Sequence, residues 1–121
     1  MDYMSISTIS NRQKQDLIRK NYNEIYAHEL AHKCAGGKLA GNIVIEKNAE
    51  GIPVSGHVSI KIPALNKKNP EQTIKDANTV IKSAMAPSDP SPQDYKVAAQ
   101  AKATKREAES LNSKKRLNYY A

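Results

Sequence analysis

The stretch HELAHKCAGG at residues 28–37 decides how this chain is organised. It begins with the pattern His-Glu-x-x-His, in which His28 and His32 are four positions apart. Residues at this spacing lie on one face of an α-helix, a turn apart, so their imidazoles can hold one metal ion. Glu29 lies between them and can reach a metal-activated water as general base. The pattern therefore predicts a zinc site, provided that a helix carries it.

The residues before the motif supply that helix. Residues 12–26 contain neither proline nor glycine, and Asn11 is a suitable N-cap. Gly36-Gly37 ends the helix after about Ala35, because one glycine can adopt the left-handed conformation of a C-cap. One side of this helix is mostly apolar and ends in the motif, which predicts a buried metal site. Its members are Ile18, Asn21, Tyr22, Ile25, His28, Glu29 and His32.

After the glycines the apolar residues recur at every second position. Residues 42–47 (NIVIEK) predict a strand, residues 48–51 a turn, and residues 54–62 a second strand. The two strands form a β-hairpin, which needs a helix packed against it to be stable. In the second strand the apolar residues share one face and the polar residues share the other, and we expect the polar face, with His57, to turn toward the motif.

Two further helix starts follow. Asn69-Pro70-Glu71 begins a helix that runs to about Met85. Ser91 caps a last, alanine-rich helix, with Pro92 at its first position and Asp94 three residues after the cap.

The predicted fold is α+β: a long motif helix, one β-hairpin and two further helices, the last partly projecting. Residues 1–10 are expected to be a flexible lead-in, residues 11–108 a single domain, and residues 109–121 a basic tail.

Composition limits the function classes. The 121 residues are 39% hydrophobic without Phe or Trp, so the core is thin and a bound metal would stabilise it. The net charge is +7, but no aromatic residues are interleaved with the basic residues of the last helix, which favours a solvated helix face over a nucleic-acid site.

The single cysteine, Cys34, excludes an intrachain disulfide and is expected to be small, buried and turned away from the metal. With no signal peptide or apolar run of membrane-spanning length, a cytoplasmic location is expected.

A catalytic zinc ion takes three protein ligands and leaves one position for water. His57, the remaining histidine, is the preferred third ligand beside His28 and His32. The alternatives, in order, are Glu46, Glu50 and Glu71. Glu29 would accept the proton of the activated water and deliver it to the leaving amine, and an extended substrate could pair with the hairpin edge. The candidates for stabilising the oxyanion are Tyr22, Tyr26, Lys61 and Tyr95.

A series of short blocks resembles the SprA-related family of bacterial proteins over residues from about 20 to 108. The blocks are AHELAH (27–32), AGG (35–37), SGHVSI (55–60), NPEQTI (69–74), APSDPSPQD (86–94) and VAAQA (97–101). The resemblance implies a zinc metallopeptidase. At the second strand His57 stands where the family pattern has Glu, which keeps a ligand-capable group and supports His57 as a ligand. Lys61 stands where the pattern has Asp, so any orienting role of that Asp must fall to another residue.

The predicted function is a small zinc-dependent metallopeptidase that hydrolyses peptide bonds of a peptide or protein substrate. Its metal ligands would be His28, His32 and His57, and its general base Glu29. The alternative is a non-catalytic, zinc-stabilised module that binds a protein partner, with the C-terminal helix as the contact surface. Nucleic-acid binding by the basic tail is the third and weakest hypothesis.

Overall fold

The computed structural model describes residues 10–120, with the side chains of residues 10–114. Its elements are α1 (Asn11–Gly36), β1 (Ala40–Lys47), β2 (Pro53–Ile60), α2 (Pro70–Ala84) and α3 (Pro92–Tyr120), with a short 3-10 turn at Gly37–Leu39. Three helices and one antiparallel hairpin confirm the predicted α+β fold. The predicted lead-in lies, apart from residue 10, outside the described residues.

Helix α1 is capped at both ends. Ser10, rather than Asn11, is the N-cap: its hydroxyl accepts the Gln13 N–H at 3.1 Å, and the Gln13 side chain accepts the Ser10 N–H at 3.0 Å. This reciprocal pair satisfies two backbone donors that the first turn of a helix leaves free. At the other end Gly37 has φ +54°, which favours glycine, and it donates its N–H to the Lys33 carbonyl. Gly36-Gly37 thus ends the motif helix as predicted.

The hairpin packs on α1 through the apolar face of β2. A Cβ built on Gly56 would lie 2.5 Å from Cγ2 of Ile25 and 3.1 Å from Cγ of Glu29, so the backbone of β2 comes close to α1 at this glycine. Successive side chains of a strand point to opposite faces, so His57 projects away from α1. The expectation that the polar face turns toward the motif is therefore wrong, because burial of the apolar residues decides which face packs on the helix.

Helices α2 and α3 pack on each other through small side chains. Ala77, Val80 and Ala101 are fully buried and form the centre of the core. The shortage of large buried side chains agrees with the thin core predicted from composition. Ala108 is also fully buried, so α3 packs beyond its first half. Its 29 residues exceed the 15 of α2, so its C-terminal part extends past what α2 can cover, as predicted.

Two expected positions on α1 differ from the structure. Tyr22 is 41% exposed and stacks on Tyr26, with ring centroids 5.7 Å apart, instead of lying on the buried side. Cys34 is exposed, so its predicted burial is wrong. It lies about 200° round the helix from His32, and on that side α1 faces solvent. Within the described part of the chain, no helix is long and apolar enough to cross a membrane.

Candidate metal centre

The motif residues converge at the C-terminal half of α1. One ligand-type atom from each of His28, Glu29 and His32 lies within 4.8 Å of the others. Nε2 of His32 lies 3.2 Å from Nε2 of His28, so the two imidazoles meet through the same ring nitrogen. Glu29 and His32 are each only 6% exposed. The three residues therefore form a group that can hold a metal ion.

Asp94, from the start of α3, completes this group. Its Oδ1 lies 3.1 Å from Nε2 of His32, and its Oδ2 lies 3.3 Å from Nε2 of His28. The helix cap of α3 positions it, because the Asp94 carboxylate accepts the Ser91 N–H at 2.8 Å and the Ser91 hydroxyl accepts the Asp94 N–H at 3.1 Å. The pattern of Ser91, Pro92 and Asp94 predicted the cap. It gave no sign that this carboxylate faces the histidines.

The other ring nitrogen of each histidine has an acceptor as its partner. Nδ1 of His32 lies 2.7 Å from the Ser83 carbonyl, which can only accept, so Nδ1 carries the proton. Nδ1 of His28 lies 3.2 Å from Oδ1 of Asp89 and donates in the same way. When Nδ1 carries the only ring proton, Nε2 of each histidine presents a lone pair toward Asp94. Orientation of imidazoles by a carbonyl or a carboxylate is typical of metal-binding histidines.

The donor set fits a divalent metal ion. Three ligand-type groups, the two Nε2 atoms and the Asp94 carboxylate, lie 3.1–3.3 Å apart. Lone pairs at these distances repel one another unless a cation lies among them. A proton on one imidazole would relieve only some of these contacts, whereas one metal ion satisfies all three. Two imidazoles and one carboxylate form a common ligand set for catalytic metals, with a position left for water.

His57, the predicted third ligand, has a different partner. Its Nδ1 lies 3.7 Å from Oε1 of Glu46, and its side chain is 55% exposed on the outer face of the hairpin. The structure thus brings Asp94, and not His57, to the two imidazoles. Glu46 shares that outer face, Glu50 lies in the hairpin turn, and Glu71 is exposed in the first turn of α2. None of these three predicted alternatives belongs to the group of potential ligands found in the described residues.

His28, Glu29, His32 and Asp94, hereafter the metal group, lie in a cleft of about 520 Å³. The motif residues lie in this cleft, residues 56–60 of β2 form one wall, and Gln93, Val97 and Gln100 of α3 form the other. The four residues predicted to stabilise an oxyanion do not line it. The tyrosine pair of α1 is stacked and exposed, Tyr95 is 55% exposed, and Lys61 lines a different hollow beside the 3-10 turn.

The comparison with known families agrees with the resemblance in the sequence. The model of the SprA-related family matches residues 6–119. This match covers most of the chain, including much of its basic C-terminal region, so the protein belongs to the SprA-related family. No curated protein and no solved structure matches the chain significantly.

Proposed function

We propose that this protein is a small zinc-dependent metallopeptidase that hydrolyses peptide bonds. The observation that carries the proposal is the convergence of His28, His32 and Asp94 beside the buried carboxylate of Glu29, in a cleft open to substrate. His28, His32 and Asp94 would hold the metal. This assignment replaces His57 as third ligand with a carboxylate from α3.

The chemistry divides between the metal and Glu29. A bound zinc ion would polarise a peptide carbonyl and lower the pKa of water to about 7. Glu29 is 6% exposed, and no described residue donates a hydrogen bond to its carboxylate, so that carboxylate is available to a water in the cleft. In our proposal it accepts a proton from that water and delivers it to the nitrogen of the leaving amine. General acid–base catalysis of this kind contributes about 10²–10⁴-fold to the rate.

Glu29→Gln tests this role. The amide keeps the size of the side chain but can no longer accept a proton as a carboxylate does. We expect peptide hydrolysis to fall at least about 100-fold, while the amount of zinc bound per chain stays the same. Glu107→Gln, an exposed position on α3, is the matched control and should leave both quantities unchanged. Hydrolysis at the parental rate by Glu29→Gln would refute the assignment.

The second candidate is a zinc-stabilised module without catalysis. It is favoured by the small core, in which most of the fully buried hydrophobic side chains are alanines, and by the direct link that Asp94 makes between α3 and α1. Metal bound across these two helices would stabilise their packing whether or not a reaction occurs. In this case the C-terminal part of α3 would be the surface for a protein partner. The parent protein would then bind zinc, melt at a higher temperature with it, and hydrolyse no peptide.

A further inference from the structure

We infer that the substrate is an internal, extended stretch of polypeptide, bound as an added strand along β2, so that the protein is an endopeptidase. This inference rests on the proposed function and adds the substrate class and the surface that binds it.

The first observation is the free edge of β2. Among residues 10–120 the sheet has two strands, and β1 pairs with only one edge of β2. In the described part of the chain, no backbone hydrogen bond from outside the hairpin reaches residues 54–60. A strand with an unpaired edge presents backbone N–H and C=O groups that an extended peptide can pair with. Residues 56–60 line the cleft, so this edge is available beside the metal group.

The second observation is the close approach of that strand to Glu29. A Cβ on Gly56 would lie 2.5 Å from Cγ2 of Ile25 and 3.1 Å from Cγ of Glu29, so the glycine lets the backbone of β2 pass close to the side chain of Glu29. A peptide laid along β2 would therefore run beside the proposed general base. Its scissile carbonyl would lie between the strand and the histidines.

The third observation is the opposite wall, whose side chains outside the metal group are uncharged. Gln93 and Gln100 line the cleft, and no described contact uses either side-chain amide. Both amides are free to donate to and accept from a peptide backbone. Val97 lies between them on the same helix, and Val58 and Ile60 face it from β2. The cleft thus offers backbone-directed hydrogen bonds and apolar contacts, a combination that suits apolar side chains on both sides of the cleaved bond.

The fourth observation concerns chain ends. An enzyme that removes C-terminal residues needs a cation for the terminal carboxylate, and one that removes N-terminal residues needs an acceptor for the α-ammonium group. Among the described residues that line the cleft, none is Lys or Arg, and its carboxylates are Glu29 and Asp94, both part of the metal group. The cleft lining therefore holds no lysine, arginine or carboxylate outside the metal group that would bind a free terminus.

The test uses one decapeptide with apolar central residues in three forms: both ends blocked, only the N-terminus free, and only the C-terminus free. Binding is measured by calorimetry on zinc-loaded Glu29→Gln, and cleavage by mass spectrometry with the parent protein. We expect the three forms to bind within about twofold of one another and to be cleaved at the same internal bond. Gln100→Ala should weaken binding about three- to tenfold, as expected for one lost hydrogen bond. Gln15→Ala, an exposed amide at the far end of α1, should not.

The outcomes separate the two proposals. Cleavage confined to peptides with a free terminus, or binding at least tenfold tighter for one of them, would overturn the inferred groove and leave the peptidase proposal standing. Binding of the blocked peptide without hydrolysis by the parent would overturn the endopeptidase assignment and the proposed function, while the binding surface on β2 would stand. Neither binding nor hydrolysis would overturn both.

Discussion

The assignment of Asp94 as a metal ligand can be tested by a substitution that changes little else. Asp94→Asn removes the negative charge but keeps a side-chain oxygen, which can still accept the Ser91 N–H that now lies 2.8 Å from the carboxylate. The cap of α3 is therefore retained. Any loss of metal affinity then reports on the contacts of this group with the two Nε2 atoms, at 3.1 and 3.3 Å, and not on the helix start.

The expected size of the effect follows from the role of each group. Loss of a partner that only orients a ligand typically costs about 10–100-fold in metal affinity. Asp94 contacts both imidazoles directly, and its side chain is only 14% exposed, so its loss should cost at least about 100-fold. A 100-fold loss corresponds to about 2.7 kcal/mol. Asp89, whose side chain is 85% exposed, contacts only Nδ1 of His28, and Asp89→Asn should therefore cost about tenfold at most.

Competition between the apoprotein and a chromophoric zinc chelator at constant pH measures these affinities. Ser91→Ala removes the hydroxyl that accepts the Asp94 N–H but keeps the Ser91 N–H that donates to the carboxylate, so it should lower the free energy of unfolding by about 1 kcal/mol and cost less zinc affinity than Asp94→Asn. Circular dichroism would show that each variant keeps its helices. The reasoning is refuted if Asp94→Asn binds zinc within threefold of the parent while it remains folded.

Three further predictions concern the hairpin and the stability of the fold. His57→Ala should bind zinc with an affinity within about threefold of the parent's, as measured by chelator competition. Its free energy of unfolding, measured with urea, should change by less than about 1 kcal/mol, because the contact of His57 with Glu46 is 3.7 Å long and exposed. Gly56→Ala should destabilise the fold by about 1–3 kcal/mol, because the added Cβ would lie 2.5 Å from Cγ2 of Ile25. In urea unfolding, the effects of Gly56→Ala and Ile25→Ala on the free energy of unfolding should not be additive when the two substitutions are combined. Zinc at about 100 times its dissociation constant should stabilise the folded protein by about 2.7 kcal/mol and raise Tm by about 10 °C, an increase that a chelator reverses in differential scanning calorimetry.

Each of these predictions has an outcome that contradicts it. A 100-fold loss of zinc affinity in His57→Ala would restore that residue as a ligand. Unchanged stability in Gly56→Ala would mean that β2 can move away from α1 at no cost. A melting temperature that does not respond to zinc would argue against a metal group that joins α1 to α3.

The order of elements was predictable because its signals are local. Gly36-Gly37 ends a helix, alternating apolar residues make strands, and Asn69-Pro70 and Ser91-Pro92 begin helices wherever they occur. Such signals act within a few residues and need no knowledge of the tertiary structure. The structure accordingly has a helix, a hairpin and two helices at nearly the predicted positions.

The third proposed metal ligand was not predictable in the same way. The alternation in β2 correctly separates an apolar face from the face that carries His57. Burial of apolar residues predicts that the apolar face packs against α1. The assignment of His57 as third ligand required the opposite orientation. The capping role of Asp94 is enough to explain why an aspartate occurs at this position. Its approach to the histidines depends on how the connector between α2 and α3 brings the start of α3 back to α1, which is a long-range property.

The central claim is that His28, His32 and Asp94 together hold a zinc ion beside Glu29. The most direct measurement is an anomalous-difference map from crystals of the zinc-loaded protein, with data collected on both sides of the zinc absorption edge. We predict one peak per chain, in direct contact with Nε2 of both histidines and with an oxygen of Asp94. A peak coordinated by His57, or a peak that contacts the histidines but not Asp94, would contradict this account.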